Sequence, residues 1–145
     1  MSEIKEILSK NKTIAMIGVS KDSSKPSTIV MKYMQKYGYK VIPINPSAKG
    51  EKILGEEVFG NLDEIKIPID IVDVFRPSKE AVEIAKDTVK IGAKVLWLQL
   101  GISSNEAKTI VETNNIDYVE NRCTKMEYQK IFLKKVQAFP VLINR

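Results

Sequence analysis

The sequence predicts an α/β fold built on a parallel sheet. Two observations carry that prediction. Five short, near-continuous apolar runs recur along the 145 residues, and amphipathic helical patterns lie between them. Strands covered on both faces by helices read as unbroken Val/Ile/Leu runs, whereas half-exposed strands alternate.

The five runs are Thr13–Val19, Lys40–Ile44, Ile69–Phe75, Lys94–Leu100 and Ile116–Val119. Between the first two, Pro26–Tyr37 reads as a helix. It places Ile29, Val30, Tyr33, Met34 and Tyr37 on one face, and Gly38 stands at its end. Pro26 suits a first helical position, where its missing N–H costs nothing. Ser78–Ile91 groups Ala81, Val82, Ala85 and Val89 and stops at Gly92. Ser103 with Glu106 reads as a capping box for a helix over Ser104–Asn114. Asn61 and Glu64 are placed to cap a shorter turn.

This β-α-β-α alternation implies a Rossmann-like, doubly wound, mostly parallel five-stranded sheet with helices on both faces. Residues 1–145 are expected to form one domain, with no linker or internal repeat. The tail 131–145 carries Phe132, Leu133, Val136, Phe139 and Leu142. It is expected to pack on the core or on a second subunit, which makes a homodimer the natural assembly to test.

Bulk composition excludes several classes. One cysteine cannot form an internal disulfide, so a reducing, cytoplasmic setting is expected. Met1–Asn11 has no signal-peptide core, and no apolar run reaches the length of a membrane span. The net charge of +5 comes from scattered lysines, which reads first as a solvated surface and then as a preference for polyphosphate ligands. No nucleic-acid motif is present, so nucleic acid is not an expected partner.

In an open α/β sheet, ligands bind beyond the carboxyl ends of the strands. The residues there are Gly18, Val19 and Ser20 with Lys21–Ser27; Asn45 and Pro46 with Lys49; Phe75, Arg76 and Pro77; Gln99, Leu100 and Gly101; and Asn121, Arg122 and Cys123. His is absent and carboxylates are not clustered. That chemistry suits holding phosphates and ribose better than acid–base or metal catalysis. Gly18 lets a ligand approach the backbone, and the helix starting at Pro26 turns its positive end toward an anion. Ser20, Lys25 and Ser27 add side-chain donors.

Two sharper motifs fail. A nucleotide-triphosphatase loop needs a second Gly before its Lys, where Ser24 stands. The dinucleotide pattern G-x-G-x-x-G is broken by Ser20 and Ser23. A dinucleotide site also wants Asp or Glu at the end of the second strand for the ribose, and Asn45 is there. A phosphorylated ribose would instead call for a cation, and Lys49 is close by.

Six segments together resemble the small CoA-binding proteins, a family similar to the N-terminal CoA-binding domain of the succinyl-CoA synthetase α subunit. They are Ile17–Ser20, Lys25-Pro26-Ser27, Asn45-Pro46, Val74–Pro77, Trp97–Ile102 and Asn121-Arg122-Cys123, in that order along the chain. The resemblance implies coenzyme A, or an acyl-CoA, as ligand. It implies that Gly18, Val19, Ser20 and Ser27 line the phosphate loop and that Lys49 lies near the 3′-phosphate. Val74, Phe75 and Arg76 would run along adenine or pantetheine. Gln99, Gly101 and Ile102 would flank the far side, and Asn121, Arg122 and Cys123 would close the site. The synthetase uses a phosphorylated His in a second domain; these residues hold no His, so binding is expected without ligase chemistry.

Three residues have plainer readings. Cys123 is the only thiol and has no His to pair with, so it reads as a packing residue, with a thiol facing the CoA sulfur as the alternative. Trp97 reads as core. Asp70 and Asp73 flank the third strand, one on each side of a short apolar run, and read as a strand-end charge and a helix-end partner rather than catalytic carboxylates. The expected function is therefore a CoA-binding carrier, sensor or regulatory module. The alternatives are a nucleotide-dependent oxidoreductase or acyl-CoA enzyme using the same site, and a partner-binding protein whose site is empty.

Overall fold

The computed structural model describes residues 3–134. In chain order the elements are α1 (Ile4–Lys10), β1 (Thr13–Ile17), α2 (Pro26–Lys36), β2 (Lys40–Ile44), β3 (Lys52–Ile53), β4 (Glu56–Glu57), β5 (Ile71–Val74), α3 (Ala81–Ile91), β6 (Val95–Leu98), α4 (Asn105–Thr113), β7 (Asp117–Val119) and α5 (Thr124–Tyr128). One π-helical turn, Gln129–Leu133, follows α5.

Five strands form one sheet in the order β2-β1-β5-β6-β7, and every neighbouring pair is parallel. The fold is the Rossmann-like α/β architecture that the apolar runs predict. Alternate side chains feed two cores. Ile14, Met16, Ile71 and Trp97 face α1 and α2, while Ala15, Val72, Val74 and Leu98 face α3 and α4. Both faces of β1, β5 and β6 are thus covered, which is why these strands lack polar alternation. Trp97 is fully buried, as expected of a core residue, and its Nε1 donates to the Arg122 carbonyl at 2.7 Å. That bond satisfies the one polar atom of the side chain.

Several local expectations are corrected. The buried residues of α2 are Ser27, Thr28, Val30, Met31 and Met34, with Tyr33 packed against the same core, while Ile29 is 43% exposed. Positions 27, 30, 31 and 34 follow the i, i+3, i+4, i+7 spacing of one helical face, and 29 falls off it. In α3 the buried residues are Ala81, Ile84, Ala85 and Thr88, and Val82 lies to the side. The cap of α4 is Ser104, whose Oγ accepts from the Ala107 N–H at 3.1 Å. Ser103 instead donates its N–H to Ser78 Oγ. Asn61 precedes a 3-10 turn, Leu62–Glu64, without capping it through its side chain.

Asp73 does not flank the strand, although it does partner a helix end. It sits inside β5, wholly buried, and accepts hydrogen bonds from Gln99 Nε2 and from Thr124 Oγ1 at 3.2 Å. Gln99 Nε2 also reaches Thr124 Oγ1 at 3.1 Å, closing a three-membered ring that ties α5 to the sheet. Asp70 does sit at the strand end, where its Oδ2 accepts from the Lys12 and Thr13 N–H groups.

The β3–β4 hairpin and the short helices α1 and α5 add to the predicted set. In the tail, Phe132 packs on the α1/α2 core. The expected packing of Val136, Phe139 and Leu142 lies outside the described residues. No helix among the described residues is long and apolar enough to cross a membrane.

Candidate functional site

The connection from β1 to β2 runs to one side of the sheet and that from β1's other neighbour, β5, to the opposite side. The strand order therefore reverses between β1 and β5, and the loops leaving them part to open a crevice. Ile17 pairs with Val74, so the two strands end level. A cleft of about 580 Å³ lies at this point. Its floor and first side are Ile17, Gly18, Val19 and Ser20. Asn45, Pro46 and Ser47 form a second side, and Arg76, Glu80, Ile84 and Asp87 a third.

Gly18 is required sterically. Its φ is +91°, and a Cβ there would stand 2.8 Å from the Phe75 carbonyl oxygen and 3.0 Å from Arg76 Cδ. The backbone of the β1 loop is therefore pressed against the end of β5 and open toward the cleft.

The loop is held by its own hydroxyls. Ser27 Oγ accepts from the Ser20 N–H at 3.0 Å, and Thr28 Oγ1 donates to the Ser20 carbonyl at 2.6 Å. Ser20 Oγ accepts from the Asp22 N–H. Asn45 joins the β1 and β2 loops: its Nδ2 donates to the Val19 carbonyl and its Oδ1 accepts from the Ser47 N–H, both at 2.9 Å. Helix α2 begins beside this loop with Pro26 in its first turn, no acidic residue there and no side-chain cap. An uncompensated helix start of this kind favours a negative group in front of it.

Two cations near this edge are paired. Arg76 Nε and Nη2 donate to the two carboxylate oxygens of Glu80 at 3.0 and 2.7 Å. This fork-to-fork pair lowers the Glu80 carboxyl and raises the Arg76 guanidinium, each through hydrogen bonds to the other. Lys49 Nζ donates to Glu64 at 2.9 Å, which holds the Glu64 carboxyl below its ordinary value; the Gly60 N–H adds to the effect.

Of the residues singled out from sequence, Gly18, Val19, Ser20, Asn45, Pro46 and Arg76 line the cleft. Ser27 is buried beneath the loop, and Lys25 and Pro26 are exposed at the start of α2. Val74 is buried in the sheet and Gln99 is buried just after β6, and Phe75 packs against the α1/α2 core. Lys49 lies outside the lining. Gly101, Ile102 and Asn121 form a separate junction: Asn121 Oδ1 accepts from the Gly101 N–H at 2.7 Å, and its N–H donates to the Ile102 carbonyl. Asn121 and Arg122 border a second depression of about 930 Å³. Cys123 is half-buried just before α5, packed on the α1/α2 core.

Glu80, Ile84 and Asp87 escaped the sequence reading. Their i, i+4, i+7 spacing puts them on one stripe of the α3 segment, a signal present in the sequence. No group of His, Cys, Asp and Glu suited to a metal occurs among the described residues.

A parallel sheet of this order, with a cleft at its reversal, defines a Rossmann-like α/β domain. Residues 12–129 match the model of the CoA binding domain family, and the chain belongs to that family. The uncharacterized protein YneT of Bacillus subtilis is 36% identical over 127 residues, which cover 88% of this chain and 93% of YneT. A solved structure from Thermus thermophilus is 36% identical, with a TM-score of 0.86, covering 91% of this chain and all of that one. An ADP-forming acetate–CoA ligase of Methanocaldococcus jannaschii is 27% identical over 120 residues. That match takes in 77% of this chain but only 17% of the ligase.

Proposed function

We propose that this chain binds coenzyme A, or an acyl-CoA, as one domain, with the diphosphate against the Gly18–Ser20 loop. The observation that carries the reading is Gly18. A positive φ and a forbidden Cβ leave bare backbone facing a cleft, beside a helix start with no acidic residue. The two-residue fork of Asn45 argues against a dinucleotide. Its amide is committed to Val19 and Ser47, and no carboxylate stands at the end of β2 to hold a ribose diol.

The role is binding without ligase chemistry, as a carrier, sensor or regulatory module. These 145 residues contain no His to carry a phosphoryl group. The cleft lining holds one guanidinium, amides and carboxylates but no nucleophile paired with a base.

Native mass spectrometry of the purified protein tests the ligand: a bound mass equal to CoA or a thioester is expected. A thermal-shift comparison tests the discrimination. CoA at 100 times its Kd should add about 2.7 kcal/mol of stability, a rise of several degrees in Tm. An equal rise with NAD would refute the choice of ligand. Incubation with ATP or GTP, a carboxylic acid and CoA should yield no thioester.

A further inference from the structure

Arg76 is the one cation on the cleft wall among the described residues, and it is already engaged by a carboxylate on the same wall. Resting on the CoA reading above, we propose that Glu80 is a built-in counter-anion: the ligand's diphosphate occupies the cleft by displacing Glu80 from Arg76.

Three features support an exchange rather than a fixed ion pair. First, position: Arg76 Cδ lies 3.0 Å from where a Gly18 Cβ would be, so its side chain crosses directly beside the loop assigned to the diphosphate. Second, geometry: Glu80 uses both oxygens, so it takes the same two-pronged face of the guanidinium that a phosphate takes. Third, accessibility: the Arg76 and Glu80 side chains are 47% and 37% exposed, so the pair is neither locked in nor dehydrated. An exposed pair of this kind is weak enough to be traded for a doubly charged partner.

Charge makes the trade consequential. Arg76, Glu80 and Asp87 are the ionic residues of the lining, and the two carboxylates outnumber the guanidinium. A diphosphate thus enters a wall that is not net positive. Once Arg76 turns to it, Glu80 is left as a like charge beside it. Glu80 therefore holds affinity down and sharpens the requirement for a ligand that can win Arg76. A neutral or singly charged ligand cannot.

The test uses the whole chain and two probes, CoA by calorimetry and inorganic pyrophosphate by amide shifts at Gly18, Val19 and Ser20. Glu80→Gln should tighten both about fivefold at low salt, and the gain should shrink at high salt. Glu80→Ala, which retains no hydrogen bond to Arg76, should do the same, and melting curves check that both variants fold. In an Arg76→Gln background, removing Glu80 should bring no gain. Unchanged or weaker pyrophosphate binding by both Glu80 variants overturns the exchange, as does an equal gain without Arg76. If pyrophosphate tightens but CoA binds neither protein, the exchange stands and the CoA reading fails. If CoA binds the wild type while neither probe tightens, the CoA reading stands and the exchange fails. Binding of neither probe to any variant defeats both.

Discussion

Gly18 at the end of β1 and the carbonyl oxygen of Phe75 at the end of β5 are packed so closely that a single added carbon would stand 2.8 Å from that oxygen. The contact fixes where the crevice opens, because it sets the spacing of the two strands whose loops diverge there. A backbone carbonyl cannot swing aside as a side-chain tip can. The residue also has φ of +91°, a conformation that costs an L side chain on its own account.

Gly18→Ala is therefore expected to destabilise the fold by about 2–4 kcal/mol, from backbone strain and overpacking together. For a domain this size the Tm should fall on the order of 10 °C. Calorimetry of the two proteins decides it. A fall of a degree or less would show that β1 and β5 can part at no cost. Ligand binding should be lost as well, since the β1 loop must shift to admit the methyl group.

The sheet was legible because burial on both faces leaves a compositional mark. Met16, Val72 and Leu96 sit in apolar runs without regular polar alternation, and the runs are far apart enough for crossover helices. The reach of the runs was less legible. Val19 is apolar and buried, yet it belongs to the loop after Gly18 rather than to the strand. The β3–β4 hairpin left only a faint pattern: each strand has two residues, and of the two turn residues at positive φ only Gly55 is a glycine, the other being Leu54 at φ +50°. Asp73 was misplaced because its partners Gln99 and Thr124 are 26 and 51 residues away. A carboxylate satisfied only by distant residues looks, in sequence, like a charge that must reach water. At the cleft, Gly18, Asn45 and Arg76 could be found because they follow strands directly. Glu80 and Asp87 could not be found that way, since they lie on a helical segment that borders the crevice from the side.

Asp73 predicts a dependence of stability on pH. Burial pushes its carboxyl up to about 7, and the hydrogen bonds from Gln99 and Thr124 only partly offset that. The folded protein thus holds a proton on Asp73 that the unfolded chain, with an ordinary value near 3.8, gives up earlier. The native state binds more protons between those values, so stability falls as pH rises from about 4 to about 7. Below that window the contribution is fully present; above it, it is gone. Asp73→Asn keeps the shape and removes the proton, and Gln99 can turn its amide to accept from the new donor. The variant should lose this slope and be more stable than wild type at pH 8. Denaturant titrations across pH 4–8 measure it. Parallel curves for the two proteins would mean that Asp73 titrates alike in both states.

Asn45 predicts a loss that does not become a gain. Its Nδ2 is the donor that pins the Val19 carbonyl. Asn45→Asp would place a carboxylate oxygen against that carbonyl and remove the bond, at a cost of about 1–3 kcal/mol. It would also create the acidic residue that a dinucleotide site wants after the second strand. Because that position is spent on holding two loops together, NAD should still bring no thermal shift. A variant that binds NAD would show that residue type at this position, rather than its role in the loop, sets the ligand.

Lys49 is the candidate reader of the 3′-phosphate that separates CoA from dephospho-CoA. Pro46 opens a short 3-10 turn, Pro46–Ala48, and Lys49 follows it as the chain bends away from the sheet. Its Nζ is 2.9 Å from Glu64, and the lysine side chain is 61% exposed. To meet a phosphate it must leave Glu64 or share it, so part of any attraction is spent on the exchange. A hydrogen bond to a charged group contributes roughly 1.5–3 kcal/mol, or about 10- to 150-fold in affinity. Exposure and the competing carboxylate place Lys49 at or below the bottom of that range. Lys49→Ala should weaken CoA about tenfold or less and leave dephospho-CoA nearly untouched. Glu64→Gln should act in the opposite direction, strengthening CoA selectively, because it frees the ammonium without moving it. Calorimetry of wild type and both variants against both ligands gives the coupling between Lys49 and the 3′-phosphate directly. The preference for CoA should also narrow at high salt, since both charges face water. An equal loss for the two ligands in Lys49→Ala would mean that Lys49 acts on the fold of the loop and not on the phosphate. Lys21, Lys25 and Arg76 would then be the cations to test. Of these Arg76 comes first, because it alone already lines the cleft.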